Sequence, residues 1–394
     1  WGALGRDFVS AAAPARLPAD AGAVVGFAAI TATALLAAPA IAAQLAGEWR
    51  LTPSQIGFYF TVEQGGMCLA TLPAIWWLKA VAWRKAALVA AGLFVLANLL
   101  SAQAHELALL LPLRALSSLS GGSLMVLSMT LAGRSAQSER LFGLWVLGQL
   151  VVGAVLLFFL PRLFAVTGLW SLYLILAVLM AIALSLLAPG LPNTVAERRS
   201  DAGGVRVNRG AAGIGIAGVL IYYIAYGGVW PFMARIAGTG GIGAVDSGTV
   251  LAFGSLFGVA GASLATAYAA RKGQAVLIGG YTLMAIAVAA LLHEPPLHRF
   301  ALAAFLLKGA STFTLPFILG RVAALDGEGR LMGITNMAVG GGLAIGPLIA
   351  GGIIEFGGGL PLLLGLGVAG MALSAALILS LHSFGARTPS PAKA

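Results

Sequence analysis

The chain has 394 residues, of which 60% are hydrophobic and only 9% are charged. Its mean hydropathy of +0.97 excludes a soluble protein, and its repeated apolar runs of about 18 residues or more are typical of membrane-spanning helices. These runs do not alternate apolar with polar residues, which excludes a transmembrane barrel. The net charge of +10 does not indicate nucleic-acid binding, because the basic residues follow the loops rather than one face.

Twelve apolar runs divide the chain into two halves of similar length. Residues 21–190 are predicted to form one six-helix bundle and residues 211–382 a second. Between them, residues 191–210 are the longest polar segment and are predicted to be a cytoplasmic connector; residues 1–20 and 383–394 are predicted to be a cytoplasmic N-terminal segment and tail. The predicted spans 1 to 12 are, in order, Ala21–Leu45, Gln55–Leu78, Ala86–Ala102, Leu107–Leu131, Leu141–Leu160, Trp170–Leu187, Ala211–Met233, Ser247–Ala269, Ala275–Leu292, Phe300–Leu319, Leu331–Ile354 and Pro361–Leu381.

Lysine and arginine concentrate on one side of this arrangement. Most of the 23 lie at the termini, in the connector and in the loops after spans 2, 4, 8 and 10. The opposite loops hold only Arg50, Arg162, Arg235 and Arg299. The positive-inside rule then predicts that both termini are cytoplasmic, and we expect a multi-pass protein of the bacterial inner membrane.

Three charged residues are predicted inside spans: Glu63 in span 2, Arg114 in span 4 and Lys308 in span 10. A charge at mid-bilayer costs about 2.5–3.5 kcal/mol on insertion scales, so each is a candidate functional residue. Counting about 1.5 Å per residue from the outer end of each span places all three roughly 10–12 Å deep. We therefore expect the three side chains to lie at one level.

Span 7 carries an aromatic stripe. Tyr222, Tyr226 and Trp230 recur every four residues and therefore share one helix face. In a span that lines a cavity, this face could stack on an aromatic substrate or offer hydroxyl groups to it. The alternative is anchoring at the membrane interface, which Trp and Tyr favour and which suits Trp230 best.

No metal site and no enzyme active site are predicted. Cys68 is the only cysteine, so a disulfide or a cysteine-based zinc site is excluded. Met125 and Met129 form a pair at helical spacing, for which packing is favoured over copper binding. The four histidines are scattered over loops and span ends, without the cluster that an enzyme needs. The proton gradient is the only energy source expected, and no cofactor is predicted.

The two halves repeat one another. Arg-Leu-x-Gly at residues 140–143, before span 5, recurs at residues 330–333, before span 11. Arg84-Lys85 after span 2 is echoed by Arg271-Lys272 after span 8. Parallel six-helix repeats joined by a cytoplasmic connector are a transporter architecture.

On these features the chain resembles the major facilitator superfamily. Arg84-Lys85 match the end of the family's loop motif after span 2, and Arg114 followed by Gly121-Gly122 is similar to its span-4 motif. The Gly-Pro motif of many antiporters is missing from span 5, and a similar string ends at Gly346-Pro347 in span 11. The resemblance implies an all-α membrane protein of twelve transmembrane helices, in two six-helix pseudo-repeats, that transports by alternating access. It also implies that spans 1, 4, 7 and 10 line a central cavity.

In that fold we expect Arg114 and Lys308 to face each other across the cavity and to bind a carboxylate. Tyr222 and Tyr226 would line the site. Glu63 would pair with Arg114 in the empty site and take a proton during transport; a fixed ion pair that only joins spans 2 and 4 is an equal alternative.

The predicted function is secondary transport: proton-coupled symport of a small organic anion, aromatic ones included. The alternative is proton-coupled efflux of drugs or amphipathic metabolites. The expected partners are a small-molecule substrate and the lipid bilayer, with no nucleic acid, and the protein is expected to be a monomer.

Overall fold

The computed structural model describes residues 17–18, 20–193, 209–268, 274–325 and 330–385. Most of the predicted connector, the predicted N-terminal segment, the Arg271-Lys272 pair and most of the predicted tail lie outside these residues. All regular secondary structure in the described ranges is helical. The prediction of an all-α protein is therefore confirmed.

Nine helical segments in the described ranges are long and apolar enough to cross a membrane, by length and composition. Spans 3 to 6 are the helices Trp83–Ser101, Leu107–Arg134, Ser138–Phe164 and Trp170–Leu187, the last followed by a 3-10 turn at Ala188–Gly190. Spans 8 to 12 are Ala244–Ala267, Gln274–Ala289, Leu297–Ala323, Arg330–Glu355 and Gly359–Gly385. Span 9, Gln274–Ala289, is the shortest of these five.

Spans 1, 2 and 7 are each broken near a proline. A proline has no N–H, so the carbonyl four residues before it loses its helical partner. Span 1 consists of Ala21–Thr31, Thr33–Leu36 and Ala38–Gly47, with Pro39 in its last part. Span 2 consists of Pro53–Leu69 and Thr71–Ala80, which contains Pro73. Span 7 consists of Arg209–Val229, a 3-10 turn at Trp230–Phe232, and Met233–Thr239.

Small residues let the spans of one half approach closely, as is common in membranes. Spans 2 and 4 meet in this way: a Cβ added to Gly122 would lie 2.7 Å from the Met67 carbonyl oxygen and 2.7 Å from the Ala70 Cβ. One turn away, Ser118 on span 4 lies against Gly66 on span 2. The backbone of span 2 is thereby fixed against span 4, which positions Glu63 for its partner.

The two halves meet through spans 2 and 11, 5 and 8, and 1 and 7. We call the outer end of the bundle the end that carries the loops after spans 1, 3, 5, 7, 9 and 11. Near this end, a Cβ on Gly57 would lie 2.2 Å from the Pro347 carbonyl oxygen, and one on Gly351 would lie 2.3 Å from the Pro53 carbonyl oxygen. Backbones in such contact leave no passage between spans 2 and 11.

Hydrogen bonds between the halves follow the same course from the outer end to mid-span. The Ser54 N–H donates to Glu355 Oε2 at 2.9 Å, and Thr61 Oγ1 donates to the Ala344 carbonyl at 2.8 Å. On the other side of the bundle, Arg162 Nη2 donates to Thr249 Oγ1 at 3.0 Å. A cavity of about 60 Å³ remains near the outer ends of spans 1, 5, 7 and 8, which is room for water and not for an organic solute. The outer end is closed in this conformation.

Replacing Gly122 by alanine should destabilise the protein, because the new methyl group meets the span 2 backbone. We expect a loss of about 1–3 kcal/mol, the usual cost of overpacking, visible as a lower thermal midpoint in detergent. Gly92→Ala in span 3 is the matched control, because nothing lies within 4 Å of its added Cβ. Equal midpoints for the two variants would contradict the close approach of spans 2 and 4.

Candidate functional site

Glu63 and Arg114 form a buried ion pair in the N-terminal half. Arg114 Nε donates to Glu63 Oε1, and the side chains are 2% and 3% exposed for Arg114 and Glu63. This is the only ion pair found among the described residues. The predicted contact between the two residues is therefore confirmed.

Neighbouring spans of the same half complete the surroundings of Arg114. Its Nη1 donates to Asn98 Oδ1 at 2.8 Å, and Asn98 Nδ2 in turn donates to Ser117 Oγ at 2.9 Å. The Arg114 Cζ lies 4.7 Å from the centre of the Tyr173 ring, a cation–π distance. The hydroxyl groups of Tyr173 and Tyr59 are 3.2 Å apart. The guanidinium is thus held by spans 2, 3, 4 and 6, and its charge is compensated within one half.

Lys308 in span 10 has a different environment. It is 7% exposed, and its Nζ lies 4.4 Å from the centre of the Trp230 ring and 3.4 Å from the Tyr226 hydroxyl oxygen. Both contacts are with span 7. Within the described part of the chain no carboxylate pairs with Lys308. A buried cation with one long hydrogen bond and one aromatic face keeps free donors for an anion.

The aromatic stripe of span 7 is formed as predicted. Tyr222 stacks on Tyr226 with centroids 6.4 Å apart, and Tyr226 stacks on Trp230 with centroids 6.1 Å apart. The Tyr222 hydroxyl donates to the Ser311 carbonyl at 3.4 Å, so it points into the C-terminal half. Tyr226 is the tyrosine whose hydroxyl meets Lys308. Of the two predicted lining residues, Tyr226 places its hydroxyl beside Lys308, whereas the Tyr222 hydroxyl is already bonded to the Ser311 carbonyl.

The interpretation of Trp230 as an interface anchor is wrong. Trp230 is 2% exposed, and its Nε1 donates to the Leu35 carbonyl of span 1 at 2.9 Å. Pro39 explains why that carbonyl is available, since it lies four residues after Leu35 and has no N–H to donate. A sequence pattern within span 7 could not reveal a contact whose acceptor is created by a proline in span 1.

The predicted basic pair is divided between the two halves. The described partners of Arg114 lie in spans 2, 3 and 6, whereas those of Lys308 lie in span 7. No direct contact between Arg114 and Lys308 occurs among the described residues. In this conformation Lys308 is the cation with spare donors, and Arg114 is the one already neutralised.

Two polar residues near the charges were given no role by the sequence reasoning. Asn98 is fully buried and joins Arg114 to Ser117. Gln64 is 5% exposed, and its Nε2 has no hydrogen-bond partner in the part of the chain that the structure describes. The signal available for both was an amide side chain inside an apolar span, and for Gln64 also its position beside Glu63; such a residue more often indicates a hydrogen bond between helices.

Comparison with known proteins extends over most of the chain. Residues 22–326 match the family model described as Major Facilitator Superfamily. No curated protein matches the chain. Among solved structures, a mutant form of the nucleoside transporter NupG superposes with a TM-score of 0.71 at 11% identity, over 92% of this chain and 98% of that chain. At that identity the likeness shows the fold alone.

The two charged clusters should respond differently to neutralisation. Glu63→Gln leaves the Arg114 cation buried without a counter-charge, which should cost about 3–5 kcal/mol of stability. Lys308→Met removes a cation that has no counter-charge in the described residues, so stability should be unchanged or higher. Thermal unfolding of both variants in one detergent measures the difference, and a Lys308→Met protein that is the less stable of the two would contradict this assignment.

Proposed function

The chain belongs to the major facilitator superfamily, and we propose that this secondary transporter carries a small organic anion together with protons. Membership makes it a multi-pass membrane transporter of small molecules rather than an enzyme. The substrate, the coupling ion and the direction are the parts that we propose.

Lys308 carries the proposal. A buried ammonium group is costly in an apolar interior, and a cation–π contact returns only about 0.5–2 kcal/mol of that cost. A carboxylate would neutralise the charge and accept a hydrogen bond of about twice the ordinary strength. The Tyr226 hydroxyl beside Lys308 Nζ is a second donor for the same group. This combination favours an anion and disfavours cationic drugs.

The aromatic faces beside Lys308 favour substrates with a ring. Tyr226 and Trp230 are stacked nearly parallel, 9° apart, so a further ring placed parallel to Tyr226 would continue the same stack. A ring attached to the carboxylate could lie against the exposed part of Tyr226, which is only partly buried. Tyr222 is 2% exposed and supports the Tyr226 ring from one turn earlier in span 7. We therefore propose aromatic carboxylates as the first class to test.

Gln64 is proposed as a further contact from the N-terminal half. A buried amide donor without a partner costs about 1–3 kcal/mol, a cost that a bound substrate could remove. Gly57, seven residues earlier, faces span 11, whereas Glu63 faces span 4. At 100° per residue Gln64 lies about 20° from Gly57 and about 100° from Glu63, close to the face that meets span 11, and its burial places it away from lipid.

Glu63 and Arg114 are proposed as the coupling pair. Protonation of Glu63 would remove its negative charge and release Arg114, whose guanidinium could then meet the anion. Conversely, loss of the proton would restore the ion pair and favour release of the anion. In both steps the Arg114 charge is balanced, first by Glu63 and then by the bound anion, as the cost of a buried charge requires.

We further propose that the protein resides in the bacterial inner membrane as a monomer with cytoplasmic termini. The concentration of lysine and arginine in the loops and termini on one side supports that orientation. The closed outer end would then be the extracytoplasmic one.

Uptake by proteoliposomes tests the substrate class. With labelled benzoate and aliphatic carboxylates and an inward proton gradient, the wild-type protein should accumulate at least one of them. Lys308→Ala should reduce this uptake at least about tenfold, since it removes a charge-assisted hydrogen bond of about 1.5–3 kcal/mol. Lys79→Ala, at an exposed position near a span end, is the control. Normal uptake by Lys308→Ala would favour efflux of amphipathic compounds instead.

Coupling is tested separately with Glu63→Gln. This variant should lose accumulation driven by the proton gradient, because its side chain cannot release and rebind a proton. It should still exchange labelled for unlabelled carboxylate across the membrane, since exchange needs no net proton movement. Retention of gradient-driven accumulation would show that Glu63–Arg114 is a fixed ion pair that only joins the spans.

A further inference from the structure

Trp230 touches both the candidate substrate site and the opposite half of the protein. One face of its ring receives the Lys308 ammonium at 4.4 Å. Its Nε1 donates to the Leu35 carbonyl at 2.9 Å, and this is a hydrogen bond between span 7 and span 1. Trp230 therefore connects Lys308 to the N-terminal half.

The backbone around this contact is broken on both sides. The helix of span 7 gives way to a 3-10 turn at Trp230–Phe232, and span 1 is interrupted at Ala37, next to the Leu35 acceptor. Beyond the breaks, the outer segments Ala38–Gly47 and Met233–Thr239 pack against each other. The hydrogen bond thus lies at the point from which two outer segments would have to separate.

The Leu35 carbonyl can accept this bond because of Pro39. In an unbroken helix the N–H of residue 39 would occupy the carbonyl of residue 35. With proline there, the carbonyl would be unsatisfied in an apolar interior unless another donor met it. The indole N–H is that donor. Opening the outer segments therefore leaves a backbone carbonyl without a partner unless water enters.

We propose that Trp230 is a positioning residue that couples occupancy of Lys308 to opening of the outer end. In the empty protein the ammonium holds the ring where its N–H reaches Leu35, and spans 1 and 7 stay closed. An anion draws the ammonium away from the ring, and the bond to Leu35 weakens. Because coupling is reciprocal, an open outer end binds the anion more tightly. This inference rests on the proposed function of Lys308 as the anion site.

The distance between the outer segments reports directly whether the outer end is open or closed. Spin labels on Gly47→Cys and Gly238→Cys, in a Cys68→Ser background, measure this distance by pulsed electron paramagnetic resonance. Both glycines are exposed, and nothing lies within 4 Å of a Cβ added to either, so the labels should not disturb packing. The wild-type protein without ligand should show mainly the short distance, and saturating benzoate should increase the long-distance population.

Two conservative variants remove the contact in different ways. Trp230→Phe keeps an aromatic face but has no N–H. Pro39→Ala leaves Trp230 intact and gives the Leu35 carbonyl a helical partner of its own. Each should raise the long-distance population of the unliganded protein about fivefold, the change expected for one hydrogen bond of ordinary net strength. Lys308→Met should do the same by releasing the ring.

Trp145→Phe is the matched control, because Trp145 Nε1 has no hydrogen-bond partner among the described residues. If Trp230→Phe and Pro39→Ala give the same distribution as Trp145→Phe, the proposed role of Trp230 is wrong, whatever benzoate does. If both variants open the outer end but benzoate has no effect on the wild-type protein, the role of Trp230 stands and the anion proposal fails.

Discussion

The cost of a charge inside a membrane is the constraint on which the rest of this structure depends. The protein meets that cost in two ways. Arg114 is neutralised by Glu63 and surrounded by Asn98 and Tyr173, so its charge is balanced without a ligand. Lys308 is buried with an aromatic ring and a tyrosine hydroxyl, and has no counter-charge among the described residues. The first arrangement balances the charge within the N-terminal half, and the second leaves a buried cation without a counter-charge, which supports our proposal that Lys308 binds the substrate.

Backbone N–H and carbonyl groups without a helical partner also have to be satisfied inside the membrane. Proline at residue 39 removes a donor from span 1, and the freed carbonyl of Leu35 is satisfied by Trp230 from the other half. At the outer end, the Ser54 N–H of span 2 is satisfied by Glu355 of span 11. Polar groups that a helix cannot satisfy internally thus become contacts between the halves. Such contacts can be exchanged for water when the halves separate, which is what alternating access requires.

The fold could be predicted from the sequence because long apolar runs and the cost of unsatisfied backbone leave few choices. The Glu63–Arg114 contact could be predicted as well, because opposite charges at one depth on neighbouring spans attract each other strongly in an apolar interior. The breaks in spans 1, 2 and 7 are local effects of proline that the apolar pattern conceals. The partners of Trp230 could not be predicted, because they come from spans that are distant in sequence. Nor does sequence reveal that Arg114 meets a counter-charge in its own half while Lys308 meets none among the described residues, because helix rotation is set by packing.

A structure determined with bound benzoate would test the central claim most directly. We predict carboxylate density within about 3 Å of Lys308 Nζ and the Tyr226 hydroxyl, the distance of a charge-assisted hydrogen bond. Lys308 should have moved away from the Trp230 ring. Benzoate bound elsewhere, with Lys308 still over Trp230, would contradict the assignment of Lys308 as the anion site.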